Sequence, residues 1–162
     1  MTLQDALKKV NGQLMPKINN ALSKEVFAKV RDVEASAIEK EVYEVYDPQE
    51  YYRRMASGGL ADPKNIVVEG GVATGGRLSV INMTPPNPGG CANRRLVTTD
   101  KDLPSLVEYG DGYHGYHYDC PSDGDYMGPR PFTETAAENL KKSGAHIKVL
   151  KDGLRRQGVK VK

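Results

Sequence analysis

"PKINNALSKEVFAKVRDVEASAIEKEVYEV", residues 16–45, carries the longest periodic pattern in the chain. Apolar side chains recur along it every three or four residues: Ile18, Leu22, Val26, Val30, Val33, Ala37, Ile38, Val42 and Val45. This spacing is typical of one face of an α-helix. It predicts a helix of about 30 residues and roughly 45 Å, which is long for one small domain. We therefore expect part of the helix to pack on another chain or to span the whole molecule.

The residues before this run predict a shorter first helix. Thr2 and Asp5 can cap its start, and an apolar side follows them. Asn11-Gly12 is a break signal between the two helical patterns. Pro16 suits either the first turn of a renewed helix or a kink.

The middle of the chain predicts a short helix and then strands. Asp47 and Pro48 favour a helix over 48–55. The apolar runs at 66–68 and 78–81 flank the glycine-rich "EGGVATGGR", which predicts a β-hairpin. Residues 84–95 have loop composition, 96–99 form a possible further strand, and 103–110 a short helix or turn.

The C-terminal part predicts helix, with a weak point at Ser143-Gly144. The elements together predict an α+β fold, in which a long N-terminal helix and a C-terminal helix pack on a small antiparallel β-sheet. A length of 162 residues suits a single domain over 1–162. Its parts are a helical region (1–46), a short helix and β-region (47–112), an extended loop (113–128), and the C-terminal helix with a basic tail (129–162).

Composition excludes several classes of protein. No apolar run approaches the ~20 residues that cross a bilayer, so we expect no membrane partner. The N-terminal segment lacks the apolar core of a secretion signal, and we expect the chain to be made in the cytoplasm. Cys91 and Cys120 form no disulfide framework, although one bridge between them is possible. Two free thiols in a reducing compartment are the simpler interpretation.

The charges are unevenly distributed along the chain, although the net charge is only +2. Residues 25–50 hold eight acids and three bases, and residues 141–162 hold eight bases and one acid. An acidic and a basic end suit head-to-tail packing between copies. The alternative is that both are solvated helix faces.

The segment "HGYHYDC" contains the chain's closest approach to a metal-binding pattern. His114, His117 and Cys120 are spaced by two residues, and Cys91 is a possible fourth ligand. A structural zinc site uses four nitrogen or sulfur ligands, usually in two pairs, and the second pair is missing here. A small zinc module or enzyme therefore stays an alternative hypothesis. We expect no metal and no cofactor.

Other motifs of catalysis are missing from the sequence. We find no calcium loop, no phosphate-binding loop and no local signature of a nucleophile with its base. We therefore expect no enzymatic activity. The basic tail, which includes Arg155 and Arg156, could contact DNA phosphates without sequence preference. No aromatic residue follows Phe132 to stack on bases, and a DNA-binding regulator is a second alternative.

The loop over 113–128 is long for a connection without regular structure, and such loops usually have a function or are disordered. It is rich in Tyr and His, and tyrosine gives interfaces a large contact area with a polar tip. We interpret the loop as an interaction arm. The residues that we expect to make contacts are Tyr113, His114, Tyr116, His117, Tyr118 and Tyr126, together with Arg155 and Arg156 of the basic tail.

Two motifs flank this arm. "VEYG" (107–110) precedes it, and "RPF" (130–132) with Ala136 follows it. Gly110 permits the positive φ of a tight turn, and Pro131 fixes the direction in which the chain enters the last helix. Phe132 can anchor that entry in the core. Glu108 is expected to be held either by backbone amides or by Arg130.

In this order the motifs resemble the tail-completion or neck proteins of long-tailed bacteriophages. "VYDPQEYYRRMASGGLADPKNI" (45–66) also resembles phage and prophage morphogenesis proteins. The resemblance implies a structural virion protein at the head–tail junction, assembled as a ring of six or twelve copies. The partners that it implies are other copies of the chain, the phage connector or adaptor, and tail proteins. Glu108, Gly110, Arg130, Pro131 and Phe132 would be its structural motif.

Overall fold

One helical run extends from Leu3 to Tyr43 in the computed structural model, which describes residues 2–45, 54–85, 103–110 and 128–162. The run consists of α1 (Leu3–Ala21), a π-helical turn (Leu22–Val26), α2 (Phe27–Ile38) and a second π-helical turn (Glu39–Tyr43). The predicted long N-terminal helix is confirmed, and it begins earlier than predicted.

The start of α1 has a capping box. The Asp5 N–H donates to Thr2 Oγ1 (3.2 Å), and the Thr2 N–H donates to the Asp5 carboxylate (3.0 Å). These bonds satisfy two backbone donors that have no partner inside the helix. The break expected at Asn11-Gly12 does not occur, and Pro16 lies inside α1. A single glycine costs only about 1 kcal/mol in a helix interior, which a long cooperative helix tolerates.

The sheet is a two-stranded antiparallel hairpin of β1 (Ile66–Val68) and β2 (Val80–Asn82). The Glu69 N–H donates to the Ser79 carbonyl (3.0 Å), and the Met83 N–H donates to the Asn65 carbonyl (2.7 Å). The turn lies at Gly75-Gly76, where both φ angles are positive (59° and 76°). Two consecutive positive φ angles match the twist of a hairpin, and only glycine adopts them without strain. The predicted hairpin is therefore confirmed, with its second strand starting at Val80.

Three further helices complete the fold: α3 (Leu103–Tyr109), α4 (Phe132–Ser143) and α5 (Ala145–Arg156). Gly144 separates α4 from α5 with a φ of 60°, so the predicted weak point is the boundary between two helices. Long and C-terminal helices with a small antiparallel sheet make the fold α+β, as predicted.

Two predicted elements lie mainly or wholly outside the described residues. The possible strand at 96–99 is one of them. Of the predicted helix over 48–55, only Arg54 and Met55 are described, and neither is helical. Met55 has a φ of 45°, which no residue inside an α-helix adopts.

The chain forms two compact units and passes between them four times. The first unit comprises residues Met1–Val33, Val67–Ile81 and Glu138–Lys162, and the second comprises Glu34–Ile66 and Asn82–Ala137. No helix among the described residues has the length and apolar content that crossing a membrane requires.

The core of the first unit lies where α5 packs on α1 and on the π-helical turn that follows α1. Leu22, Val26 and Ala73 are buried there, and other apolar residues pack against them: Ile18, Val30, Leu78, Val149 and Leu150. Gly153 permits the close approach, because a Cβ at this position would lie 3.2 Å from the Ala21 Cβ. The Ala73 N–H donates to Ser23 Oγ (2.8 Å), which holds the hairpin connection against the long helix.

In the second unit the largest fully buried side chains are Phe132, Ile38 and Ile66. They come from α4, α2 and β1. Burying each such side chain contributes about 1.5–3 kcal/mol relative to leaving it in water. The C-terminal helix thus begins inside an apolar core, which fixes where its first turn lies.

Gly12 and Gly144 allow a matched test of backbone conformation. A Cβ at either position meets nothing within 4 Å, but only Gly144 has a positive φ. Gly12→Ala should raise the free energy of unfolding by about 0.5–1 kcal/mol, since alanine favours the helix that Gly12 already adopts. Gly144→Ala should lower it by about 1–2 kcal/mol. Urea unfolding followed by circular dichroism measures both, and a loss of stability in Gly12→Ala would contradict the uninterrupted α1.

Candidate functional site

The best-defined polar site of the second unit joins the end of α3 to the start of α4. Glu108 is only 9% exposed. The Thr133 N–H donates to Glu108 Oε2 (3.0 Å), and the Glu134 N–H donates to Oε1 at a longer 3.4 Å. A carboxylate is favoured there because the first N–H groups of a helix lack internal partners and carry partial positive charge. Of the two partners expected for Glu108, the structure shows the backbone amides.

Arg130 ties the same site to the end of the long helical run. Its guanidinium is buried, and Nη1 donates to the Val42 carbonyl at 3.1 Å. Val42 lies in the last turn of the run, where carbonyl groups lack a helical partner. The Arg130 N–H also donates to the Val107 carbonyl (3.1 Å). One residue therefore connects α4, α3 and the π-helical turn Glu39–Tyr43.

Gly110 and Pro129 lie against each other at this site. Gly110 has a φ of 68°, and a Cβ there would lie 2.8 Å from the Pro129 backbone nitrogen. Phe132 is 1% exposed, so the entry to α4 is anchored in the core, whereas Pro131 is exposed. We call residues 107–110 and 129–134 the α3–α4 junction. The junction holds the two ends of the intervening segment side by side.

Glu34 is a buried acid next to this junction, although the sequence presents it as one member of an acidic stretch. It is 6% exposed. Burial raises the pKa of Glu34 above its ordinary value, a hydrogen bond with the Asn82 side chain lowers it, and the charge of Glu108 raises it further. The sequence does contain a pattern that indicates the burial of Glu34. Glu34 occupies the i+4 row formed by Leu22, Val26, Val30, Ile38 and Val42, where a buried residue is expected.

A second polar assembly fixes the glycine-rich turn that follows residue 54. The Leu60 N–H donates to Tyr43 Oη (3.0 Å), and the Asn82 amide donates to the Leu60 carbonyl (2.8 Å). The Gly59 carbonyl accepts from the side chains of Asn65 (2.9 Å) and Thr84 (3.2 Å). These bonds attach the turn to the long helix and to the residues around β2.

Two contacts with the backbone restrict which residues this turn accepts. A Cβ at Gly59 would clash with the Met55 carbonyl oxygen, so the position accepts only glycine without a backbone shift. Asp62 accepts from the N–H groups of Gly58 (2.6 Å) and Lys64 (2.9 Å). The Lys64 and Gly58 amides lower the pKa of Asp62. "GGLAD" is thus a rigid, internally bonded turn.

The basic tail belongs to the first unit and is partly paired inside the chain. Arg156 Nη2 donates to Glu25 Oε1 at 2.9 Å, and Arg155 Nη1 donates to Asp152 at 2.8 Å. Lys17 Nζ and the Gln157 carbonyl form a further bond (3.0 Å) across the same interface. Glu25 was counted among the acids that could face another copy, and here it binds a basic residue of its own chain.

The predicted arm residues lie outside the described part of the chain: Tyr113, His114, Tyr116, His117, Tyr118 and Tyr126. The possible zinc ligands His114, His117, Cys120 and Cys91 lie outside it as well. Within residues 2–45, 54–85, 103–110 and 128–162, no three His, Cys, Asp or Glu side chains group as a metal site would require.

Removing the Glu108 carboxylate should loosen the junction. Glu108→Ala leaves the Thr133 and Glu134 amides without their acceptor, and we expect the free energy of unfolding to fall by about 0.5–2 kcal/mol. The control is Glu134→Ala, which removes an exposed carboxylate from the same helix turn and should cost less, about 0.3–1 kcal/mol. Equal losses in urea titrations of the two variants would contradict the capping role.

Glu34 predicts a pH dependence of stability. Because the folded state raises its pKa above the ordinary 4.5, the folded chain binds this proton more tightly than the unfolded chain. The free energy of unfolding should therefore fall as pH rises from about 4.5 through the raised pKa. Glu34→Gln keeps a hydrogen-bond partner for Asn82 but removes the charge. The variant should therefore be more stable than wild type at pH 7, and its free energy of unfolding should depend less on pH.

Glu44→Gln is the control for that experiment, since Glu44 is exposed at the end of the same helical run. Asp62 does not confuse the result, because its lowered pKa acts in the opposite direction and only as pH falls below 3.8. An unchanged pH profile in Glu34→Gln would show that the carboxylate does not titrate differently on folding.

Comparison with known proteins gives a match to a protein-family model described as YomN, over residues 6–156. The matched range includes both motifs of the α3–α4 junction and reaches the end of α5. Neither the curated proteins nor the solved structures returned a match.

Proposed function

The chain belongs to the YomN family, which is associated with phages and prophages, and on this premise we propose that it is a structural protein of the phage neck or tail-completion class. It forms a ring of six or twelve copies at the head–tail junction, the copy numbers that the resemblance implies. Its partners are its own copies, the connector or adaptor, and tail proteins. It is made in the host cytoplasm, joins the virion, and catalyses no reaction.

The α3–α4 junction is the observation that supports this proposal most. The two motifs that carry the resemblance, 107–110 and 130–132, are distant in sequence and bonded to each other in the structure. The residues of these two motifs make contacts inside the protein: Glu108 caps α4, Arg130 binds the Val42 carbonyl, and Phe132 is buried. This is what a scaffold for a presented loop requires, and none of these groups is arranged for chemistry on a substrate.

The segment between the motifs supplies the contacts in this proposal. Gly110 and Pro129 hold its ends together, so the arm leaves and re-enters the body at one place. Fixing the ends of a loop lowers the entropy that the loop loses when it binds. Its tyrosines would then pack on a neighbouring subunit or on a connector protein.

Substitution of two arm tyrosines tests the proposal. Tyr116→Ser with Tyr118→Ser should leave the free energy of unfolding unchanged and reduce the joining of heads to tails. Two interface tyrosines contribute about 1–2 kcal/mol each, so we expect a loss of affinity of about 30-fold to 900-fold. The measurement is complementation of a phage that lacks the gene, with particles counted by electron microscopy.

Tyr109→Ser is the matched control, because Tyr109 is 67% exposed and lies just outside the arm. The control should complement like wild type. Deleting the gene should leave filled heads beside unattached tails. Normal particles from the deletion would refute the proposal, as would stoichiometric zinc that disappears in His114→Ala, which favours a metal module.

A further inference from the structure

The two compact units differ strongly in charge. The first unit holds fifteen bases and six acids, a net charge of +9, whereas the second holds eight bases and fifteen acids, a net charge of −7. The chain's small net charge of +2 hides this separation. A cluster of charges of one sign creates a surface potential that attracts polyions of the opposite charge.

Most of the basic surplus lies on α5, at the end of α4 and in residues 157–162. Three cations of α4 and α5 are already paired with acids, in Lys142–Glu138 (2.7 Å), Arg155–Asp152 (2.8 Å) and Arg156–Glu25 (2.9 Å). Several lysines remain on the exposed surface beyond these pairs: Lys141, Lys148, Lys160 and Lys162. Exposed ion pairs are weak, so the paired side chains can also turn towards a stronger anion.

Lys148, Lys151 and Arg155 follow each other at i, i+3 and i+7 along α5, which places them on one face of the helix. The rise from the first to the last is about 10 Å. Arg155 also lines an open surface depression together with residues 158–162, which include Lys160 and Lys162. The helix face and this depression share Arg155 and therefore form one basic track.

We propose that this basic track binds the phosphate backbone of double-stranded DNA without sequence preference. Lysines in a row neutralise phosphates as point charges, and this term supplies nearly all of non-specific DNA binding. The second unit, at −7, would be repelled by the same DNA, so the contact is confined to the first unit.

The track suits a duplex better than a single strand or a protein. No Phe, Tyr or Trp follows Phe132 in the sequence, so the track lacks the large rings on which single-strand-binding proteins stack successive bases. Protein interfaces are depleted in lysine and centred on apolar residues. The described residues of α5 and of 157–162 expose one large apolar side chain, Ile147.

The test compares two double variants that lose the same charge. Lys148→Gln with Lys160→Gln removes two lysines of the track, and Lys40→Gln with Lys64→Gln removes two exposed lysines of the second unit. Fluorescence anisotropy with a labelled random-sequence duplex gives the dissociation constant over a series of salt concentrations. Each phosphate contact contributes about −0.9 to the slope of log K against log salt concentration.

Wild type should bind with a slope of about −3 to −5, as expected for the three to five cations of the track. The track variant should lose about 2 from the magnitude of that slope, and the control variant should keep it. Identical slopes in the two variants would overturn the proposal, because binding would then follow net charge alone. Tighter binding to a single strand than to the duplex would also overturn it.

The basic track could instead face the acidic unit of a second copy. In that case the track variant would abolish salt-sensitive self-association in sedimentation runs without DNA, and wild type would not bind the duplex; this outcome also refutes the proposal. The experiment uses only the purified full chain. It can therefore fail while the proposed role in the phage neck holds, and the reverse is equally possible.

Discussion

The hydrogen bonds between the Glu108 carboxylate and the first amides of α4 are the constraint on which the α3–α4 junction depends. They place a charge where a helix can stabilise it, at a position 9% exposed to water. They also close a loop, and closing a loop costs conformational entropy that these bonds and the burial of Phe132 must offset. A short acidic motif and a proline-rich motif thus become one structural element.

Burial around this element has a cost as well. Glu34 and Glu108 place two carboxylates in the same region of the second unit, next to the buried Arg130. Buried charges destabilise a protein unless partners compensate them, and here the partners are amides, the Asn82 side chain and backbone carbonyls. The second unit therefore relies on a fixed set of polar contacts as much as on its apolar side chains. Such a network specifies one arrangement and tolerates few others.

Sequence patterns predicted the elements of the fold well and their contacts poorly. The apolar spacing of residues 16–45 predicted the long helix, and the glycines before Arg77 predicted the hairpin, because both patterns are local in the sequence. Gly12 predicted a break that does not occur, since one unfavourable residue does not stop a cooperative helix. The Glu25–Arg156 pair joins residues 131 positions apart, and nothing local in either segment indicates it. The charge of Glu34 predicts exposure to solvent, whereas its position in the i+4 row indicates the core, where the structure places it.

The interlacing of the two units has a consequence for how the chain is made. Lys17 and Gln157 are hydrogen-bonded partners separated by 140 residues, so the first unit cannot be completed until its last segment has been synthesised. At about 5–20 residues per second, α1 would wait for roughly 7–28 s beside the ribosome with its final neighbour still missing. During that interval an amphipathic helix is open to chaperones and to neighbouring nascent chains. The order of translation therefore adds a risk of misassembly that is separate from the stability of the finished protein.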